Sequence, residues 1–206
     1  MSVVDRLRMA NFLGIRPSSR LFSALVSVYQ VISREGRESR GGYRRVYSQF
    51  GEDVILQNLV GNYSGRYVDI GSGHPVRGNN TFALYRKGWS GFLVDPISNN
   101  VELARKYRPR DASIQAIVGS TENEKQFWEY ETYEFSTTDM DRVDELGKQG
   151  IRPSKTYLMK SITLSSLRIN ASPLDPYVLS IDVEGSEMEV LRGNNWMEFS
   201  PPHYRY

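Results

Sequence analysis

The strongest constraint on the fold is a pair of short apolar runs that each end in an acid. The run in "GRYVDI" ends at Asp69 and is followed by Gly71 and Gly73, and the run in "GFLVDP" ends at Asp95. Apolar runs rich in aromatic and β-branched residues, bounded by Gly and Pro, are typical of buried parallel strands. A helical pattern lies between them, so the segment predicts a strand–helix–strand unit. Its glycines leave two interpretations open, a tight turn between strands and the edge of a nucleotide site.

The same alternation continues along the chain and defines the fold class. "SNNVELARKY" predicts a helix, "ASIQAIVG" a third strand, and "YVLSIDVEG" a fourth strand that again ends in acids. Before the fourth strand, residues 126–169 change to aromatic-rich pieces that indicate a β-rich insertion. Alternating strands and helices with right-handed crossovers predict an α/β fold with a doubly wound, mostly parallel sheet.

Two helical segments precede the first strand. The periodicity of residues 18–33 predicts an amphipathic helix followed by a polar linker, so residues 1–45 are expected to lie apart from a domain of residues 46–206. "SQFGEDVILQNLV" predicts a second helix, with acids in the first turn where they favour the helix dipole.

Composition excludes several classes of function. The chain has no cysteine and two histidines, which excludes disulfides, thiolate chemistry and cysteine- or histidine-rich metal sites. A net charge of +2 gives no overall field for nucleic acid. The most apolar early stretch, residues 21–33, is shorter than the ~20 residues that a membrane span requires. We therefore expect a soluble, cytoplasmic protein that binds no nucleic acid and does not span a membrane.

The acids at the strand ends indicate a ligand site. Because the carboxyl ends of parallel strands meet at one edge of a sheet, Asp69, Asp95 and Asp182 are expected to lie close together. Gly71 and Gly73 let the backbone approach a ligand, and Asp95 lies near the ~20-residue spacing at which an acid holds ribose hydroxyls. The third glycine of a dinucleotide site is absent, which favours a nucleoside without a diphosphate, and S-adenosylmethionine is the common one.

Several motifs together resemble one enzyme family. "YSQFGEDVIL", "YVDIGSGHP", "NNTFALYRKGWSGFLVDP", "RPRD" and "LSIDVEGSEMEVLRG" occur in the order and spacing of the FkbM family of S-adenosylmethionine-dependent methyltransferases. The resemblance covers residues 47–196 and implies the Rossmann-like class I methyltransferase fold. It also implies O-methylation, typically of a hydroxyl on a sugar or a secondary metabolite, so the expected partner is a glycan or a small hydroxyl-bearing acceptor.

The resemblance further implies a set of cofactor contacts, most of them in loops at the ends of strands. The residues are Gln49, Glu52, Asp69, Gly71, Gly73, Asn80, Thr81, Asp95, Asp111 and Ala116. Within this set Asp95 would hold the ribose diol, and Asn80 and Thr81 would hydrogen-bond to the cofactor's carboxylate. Asp111 and the turn after Ala116 would lie at the adenine. Gln49 and Glu52 would cover the site, with capping of the following helix as the alternative.

The acids of "IDVEG" are the candidate catalytic groups. Methyl transfer to a hydroxyl requires that the oxygen be aligned and its proton removed. Asp182 and Glu184 would serve as base and orienting acceptor, with His74 as a rival base, unless the two acids only cap the following helix. Strand-end acids can instead hold Mg²⁺, but this route is not favoured and no metal ligand is assigned.

Two other functions remain as alternatives. After Trp196 the sequence reads "MEFSPPHYRY" and ends where the family would begin its fifth strand. We therefore expect the final strands to be missing and an exposed sheet edge to favour self-association. This suggests a catalytically incomplete binding or scaffold module with the methyltransferase fold. An NAD-dependent oxidoreductase is disfavoured because the third glycine and a Tyr-x-x-x-Lys pair are absent.

Overall fold

The computed structural model describes residues 46–167 and 177–196. The chain divides into two units, Met1–Val46 and Tyr47–Tyr206, and all of the elements below belong to the second. The amphipathic helix expected at residues 18–33 and its linker lie outside the described residues, as do residues 197–206.

The described residues form five α-helices and seven β-strands. The helices are α1 (Glu52–Val60), α2 (Phe82–Arg86), α3 (Ser98–Tyr107), α4 (Met140–Lys148) and α5 (Glu187–Arg192). The strands are β1 (Arg66–Ile70), β2 (Ser90–Asp95), β3 (Ala112–Gln115), β4 (Ile117–Gly119), β5 (Glu124–Glu129), β6 (Lys155–Thr163) and β7 (Tyr177–Ile181). Two short 3₁₀ turns are formed by Tyr133–Phe135 and Ser165–Leu167.

Four of the strands form a parallel sheet in the order β3-β2-β1-β7. Asp69 of β1 is in register with Leu93 of β2 and with Ser180 of β7. Because all four strands run in the same direction, the carboxyl ends of β1, β2 and β7 meet at one edge of the sheet. The expected α/β fold with a mostly parallel, Rossmann-like sheet is confirmed.

The insertion forms a sheet of its own. Its strand order is β4-β6-β5, with β4 parallel and β5 antiparallel to β6. The prediction of one continuous strand over "ASIQAIVG" is wrong, because Ala116 divides the run into β3, which pairs with β2, and β4, which pairs with β6. A short β-forming segment hydrogen-bonds to whichever strands lie beside it. The two halves of this segment lie beside strands of two different sheets.

The two faces of the parallel sheet are covered by separate apolar clusters. Successive residues of a strand point to opposite faces. Val68 packs with Val190 of α5 and with residues of β4, whereas Tyr67 packs with Leu84 of α2 and Ala104 of α3. Asp69 shares the face of Tyr67, so a carboxylate enters the layer between the sheet and the helices α2 and α3.

Candidate functional site

The turn after β1 depends on glycine. Gly71 (φ 72°) and Gly73 (φ 55°) have left-handed backbones that side chains disfavour. The amide of Gly71 donates to the carbonyl of Val94 at 2.8 Å, and a Cβ on Gly71 would overlap the backbone oxygen of Asp182. The turn therefore passes closely between the ends of β2 and β7, as the sequence predicted for a close backbone approach.

Asp95 fastens this turn to β2. Its Oδ2 accepts from the amide of Gly73 at 2.8 Å, and its Oδ1 accepts from the amide of Ile97 at 2.9 Å and from Nδ2 of Asn100 at 3.1 Å. The side chain is buried, and this loss of hydration raises the pKa of Asp95 to about 6. Each carboxylate oxygen can accept two hydrogen bonds, so Oδ2 keeps acceptor capacity toward a ligand beside Gly73.

Beneath the turn lies a buried network of polar side chains. Oδ2 of Asp69 accepts from Nδ2 of Asn79 at 2.9 Å and from Oγ1 of Thr81 at 2.7 Å. The guanidinium of Arg108 donates to Oδ1 of Asn79 at 2.9 Å, to Oγ1 of Thr81 at 3.0 Å and to Oδ2 of Asp111 at 2.7 Å. Burial raises the pKa of Asp69, and the positive charge of Arg108 opposes that rise. Asp69 is thus the buried acceptor of the network that lies beneath the turn.

Two residues assigned to the cofactor by resemblance are internal members of this network. Thr81 is fully buried, and its amide and its hydroxyl are bound by Asn79, Asp69 and Arg108. Asp111 also accepts from the amide of Gly91, near the amino end of β2, which is about 13 Å from the carboxyl end at ~3.3 Å per residue. We therefore do not carry Asp111 into the adenine pocket or Thr81 into the contacts with the cofactor's carboxylate.

Residues of the "SQFGED" segment form the turn that begins α1. Oγ of Ser48 accepts from the amides of Gly51 (3.0 Å) and Asp53 (3.2 Å) and donates to Oδ1 of Asp53 at 2.6 Å. The carboxylate of Glu52 accepts instead from the amide of Phe50 within the loop, and Gln49 is exposed. Ser48, which Asp53 holds in place, accepts from the amides at the start of the helix, and neither Gln49 nor Glu52 does so.

The loop after β7 presents two carboxylates. Glu184 has a φ of 50°, which makes it the one residue other than glycine with a positive φ in the part of the chain that is described. The amides of Val183 and Gly185 donate to Oε1 of Glu187, which reaches back from α5. Glu187, and not Asp182 or Glu184, accepts from these amides. The alternative that Asp182 and Glu184 only cap the helix is therefore wrong. Across residues 46–167 and 177–196, neither carboxylate has a hydrogen-bond or ion-pair partner.

These carboxylates repel one another. Loss of hydration raises the pKa of Asp182, and the negative charges of Asp69, Glu187 and Glu52 raise it further. Loss of hydration and the charge of Asp182 raise the pKa of Glu184. A ligand that carries positive charge would relieve this repulsion, whereas a pyrophosphate would increase it. Within the described ranges, no three His, Cys, Asp or Glu side chains are grouped so that they could hold a metal ion.

His74 has the wrong hydrogen bonds for a base. Its Nδ1 accepts from the amides of Val76 at 3.2 Å and Arg77 at 3.1 Å. A neutral imidazole that accepts at Nδ1 carries its proton on Nε2, which leaves no nitrogen free to take a proton. Burial and the charge of Arg77 lower the pKa of His74. We therefore assign His74 to the shape of the loop and not to catalysis.

The insertion supplies an aromatic wall that the sequence did not reveal. A Cβ on Gly73 would lie 3.0 Å from Cε2 of Tyr133, so this ring lies against the turn. Phe127 and Tyr157, with ring centroids 5.7 Å apart, pack with Ile97, which follows Asp95. Loss of hydration and the hydrogen bond to Glu129 raise the pKa of Tyr157, and the negative charge of Asp95 adds to this rise. Ala116 is buried in a different apolar cluster, the one that contains Val68 and Val190.

This combination defines the class of the protein. A parallel sheet whose glycine turn lies against the end of β7, with acids at three strand ends, is a Rossmann-like sheet, in which ligands bind beyond the carboxyl ends of the strands. Residues 64–201 match the family model for the methyltransferase FkbM domain, and the chain belongs to this family. It is therefore a methyltransferase, as the motifs indicated.

Other comparisons add no relative. No curated protein and no solved structure matches the chain. Among the described residues, no helix is long and apolar enough to cross a membrane.

Proposed function

We propose that the protein is an S-adenosylmethionine-dependent O-methyltransferase that acts on a hydroxyl of a glycan or a secondary metabolite. The observation that carries this proposal is a pair of carboxylates, Asp182 and Glu184, that have no partner among the described residues and lie beside a turn that only glycine can form. When bound, S-adenosylmethionine supplies an electrophilic methyl group on a positively charged sulfonium. The absence of cysteine supports a reducing, cytoplasmic setting for the reaction.

The residues around the turn fit such a cofactor. The turn at Gly71 and Gly73 passes close against the end of β7 and the ring of Tyr133, and Asp95 beside it retains acceptor capacity for the ribose diol. The wall formed by Tyr133 and Tyr157 suits the face of an adenine ring. Repulsion among the acids favours a cation over the anionic pyrophosphate of NAD, which argues against an oxidoreductase.

Three polar residues complete the proposed cofactor contacts. Asn80 donates from Nδ2 to Oγ of Ser180 at 3.3 Å, next to the end of β7, and we keep it as the partner for the cofactor's carboxylate. The charge of Glu52 reaches Asp182, so the loop that holds Gln49 and Glu52 lies on the same side as the acids and covers the site in our proposal.

The chemistry needs a base and an aligned hydroxyl. In our proposal Asp182 would accept the proton of the acceptor hydroxyl, and Glu184 would accept a hydrogen bond that orients the acceptor. The bound cofactor would supply the methyl group and leave as S-adenosylhomocysteine when its carbon–sulfur bond breaks. Because their pKa values are raised, both carboxylates are stronger bases than a carboxylate with an ordinary pKa. No step requires a metal ion, so a chelator should leave the rate unchanged.

The first experiment measures cofactor binding. Calorimetric titration with S-adenosylhomocysteine should show binding to the wild type and a loss of at least about tenfold in affinity for Asp95→Ala, equal to ~1.4 kcal/mol. Asp144→Ala, which removes an exposed acid of α4, is the control and should bind as the wild type does. A wild type that does not bind would favour the scaffold alternative.

The second experiment measures transfer of a labelled methyl group to a panel of glycans and hydroxylated metabolites. Asp182→Asn should keep its affinity for S-adenosylhomocysteine within about twofold and lose turnover by about 10²-fold or more, the usual scale of general base catalysis. Retained turnover in this variant would show that the base lies elsewhere, with Glu184 as the next residue to replace.

A further inference from the structure

Glu184 has a backbone conformation that its surroundings must impose. Its φ of 50° lies in the left-handed region, which a residue with a side chain enters only at a cost in conformational energy. Gly185, the next residue, also has a positive φ, 103°. Such conformations persist where the surrounding structure fixes the backbone, and they are frequent at functional sites. The hydrogen bonds of this loop therefore indicate what holds Glu184 in place.

The loop is held by two residues from different parts of the chain. Oε1 of Glu187 accepts from the amides of Val183 at 3.3 Å and Gly185 at 3.2 Å. Oγ1 of Thr137, which lies 47 residues away in the insertion, donates to the carbonyl of Glu184 at 3.3 Å. The peptide group between Glu184 and Gly185 is thus held at its oxygen by Thr137 and at its nitrogen by Glu187. Because the backbone sets the direction of the Cα–Cβ bond, these contacts also direct the Glu184 side chain.

Thr137 is itself fixed within the insertion. It is buried, with 1% of its surface exposed. Its carbonyl and its amide are paired with the amide and the carbonyl of Trp128 in β5, at 3.0 and 3.1 Å. Its hydroxyl accepts from the amide of Asp139 at 3.0 Å. A hydroxyl has one proton, which remains available for the carbonyl of Glu184.

The carboxylate of Glu184 lies among charges from three parts of the chain. Loss of hydration and the negative charge of Asp182 raise its pKa, and the charges of Glu187 and Glu134 add to the rise. The positive charge of Arg142 in α4 opposes it. The titration of Glu184 therefore reports where its carboxylate lies relative to these groups.

We propose that Thr137 is a positioning residue, which holds the backbone of Glu184 so that the carboxylate stays beside Asp182. The inference rests on the proposed function, because it takes Glu184 as the group that orients the acceptor. Thr137 acts through Glu184 and touches neither the cofactor nor the acceptor. The insertion thereby contributes to the placement of a group in the loop after β7.

The first test follows the Glu184 carboxyl by NMR in the full chain with no ligand added. Glutamate labelled with ¹³C at the carboxyl gives a titration curve for each side chain, and the signal that Glu184→Gln removes belongs to Glu184. Thr137→Val keeps the shape of the side chain but cannot donate to the carbonyl. We expect the pKa of Glu184 to fall in this variant, with a proton affinity lower by about threefold or more, because the carboxylate moves away from Asp182 and gains hydration. Thr137→Ser restores the hydroxyl and should keep the wild-type titration.

The second test measures methyl transfer to the same panel of glycans and hydroxylated metabolites. Thr137→Val should lower kcat by about tenfold or more, while the KM for S-adenosylmethionine stays within about twofold, because a displaced orienting group spoils the alignment of the acceptor. In a Glu184→Ala background the same change should alter kcat by less than about twofold, since the group that Thr137 places is already gone. A merely structural role would lower the rate in both backgrounds alike.

Thr156→Val is the matched control. Thr156 is exposed and lies in β6 opposite the same Trp128, so the change should alter neither the titration nor the turnover. Thermal unfolding shows that each variant folds, and if Thr137→Val does not fold, Thr137→Ala carries the same expectations.

Two results would overturn the inference. One is an unchanged titration of Glu184 in Thr137→Val, and the other is an equal loss of turnover with and without the Glu184 side chain. If the wild type neither binds S-adenosylhomocysteine nor transfers a methyl group, the proposed function fails. The titration needs no ligand, so it still decides whether Thr137 places Glu184.

Discussion

Replacing Arg108 by methionine tests whether the buried network supports the glycine turn. The guanidinium is fully buried and pairs with Asp111 at 2.7 Å, where both side chains have no exposed surface. It also lies over the rings of Tyr67 and Tyr85, at 5.1 and 5.2 Å from their centroids. Methionine keeps most of the length of the side chain and removes the charge and all of its donors.

The expected loss of stability is large. Removing one partner of a buried ion pair costs ~3–5 kcal/mol, because the other charge stays buried without compensation. Asp111 would be left with the hydroxyl of Tyr67 and the amide of Gly91 as its donors. The pKa of Asp69, which the charge of Arg108 now holds down, would rise further. The cost is a large part of the ~5–15 kcal/mol that stabilises a typical domain.

Urea and thermal unfolding followed by circular dichroism measure this loss. A decrease of ~3–5 kcal/mol corresponds to a fall in Tm on the order of 10 °C for a chain of this length. Arg105→Met, which replaces an exposed arginine of α3, is the matched control. Its free energy of unfolding should stay within about 0.5 kcal/mol of the wild-type value. In a double-mutant cycle, Arg108→Met with Asp111→Asn should cost less than the sum of the single changes. A loss below about 1 kcal/mol, or strict additivity, would refute the reasoning.

Two further predictions concern the turn and its acid. Because the folded pKa of Asp95 (about 6) lies above its ordinary value of 3.8, its ionisation costs stability, so its contribution is full below pH 3.8 and is lost as the pH rises through 6. Relative to Asp95→Asn, the wild type should lose on the order of 3 kcal/mol across that range in urea titrations, and a constant difference would refute the raised pKa. Gly71→Ala should prevent folding or abolish binding of S-adenosylhomocysteine, because its Cβ would overlap the backbone of Asp182. Gly88 also has a positive φ, 95°, but open space around it, so Gly88→Ala should lower the free energy of unfolding by only ~1–2 kcal/mol and keep binding. Equal effects of the two substitutions would show that the backbone conformation, and not the overlap with Asp182, decides the outcome.

The sequence predicted the main sheet because its signals are local. The runs that end at Asp69 and Asp95 carry enough apolar and β-branched residues to specify buried strands by themselves, and parallel strands place their carboxyl ends at one edge. The glycines of the turn were also visible, since positions with positive φ favour this residue. Motifs spread from Gln49 to Glu187 indicated the family, which the family match over residues 64–201 confirms.

Only the tertiary structure decided which polar groups face each other. Arg108 donates to Asn79 and Thr81, 29 and 27 residues away, and no pattern along the chain indicates such partners. Ala116 divides a run of uniform β propensity because β2 and β6 each offer a free partner to one half of it. Periodicity specifies which face of a helix or strand is apolar. The partners of buried hydrogen-bonding and charged groups, in contrast, come from other helices, strands and loops. An acid at the end of a buried strand is therefore a buried network member at Asp69, whereas at Asp182 it is a carboxylate without a partner in the described part of the chain.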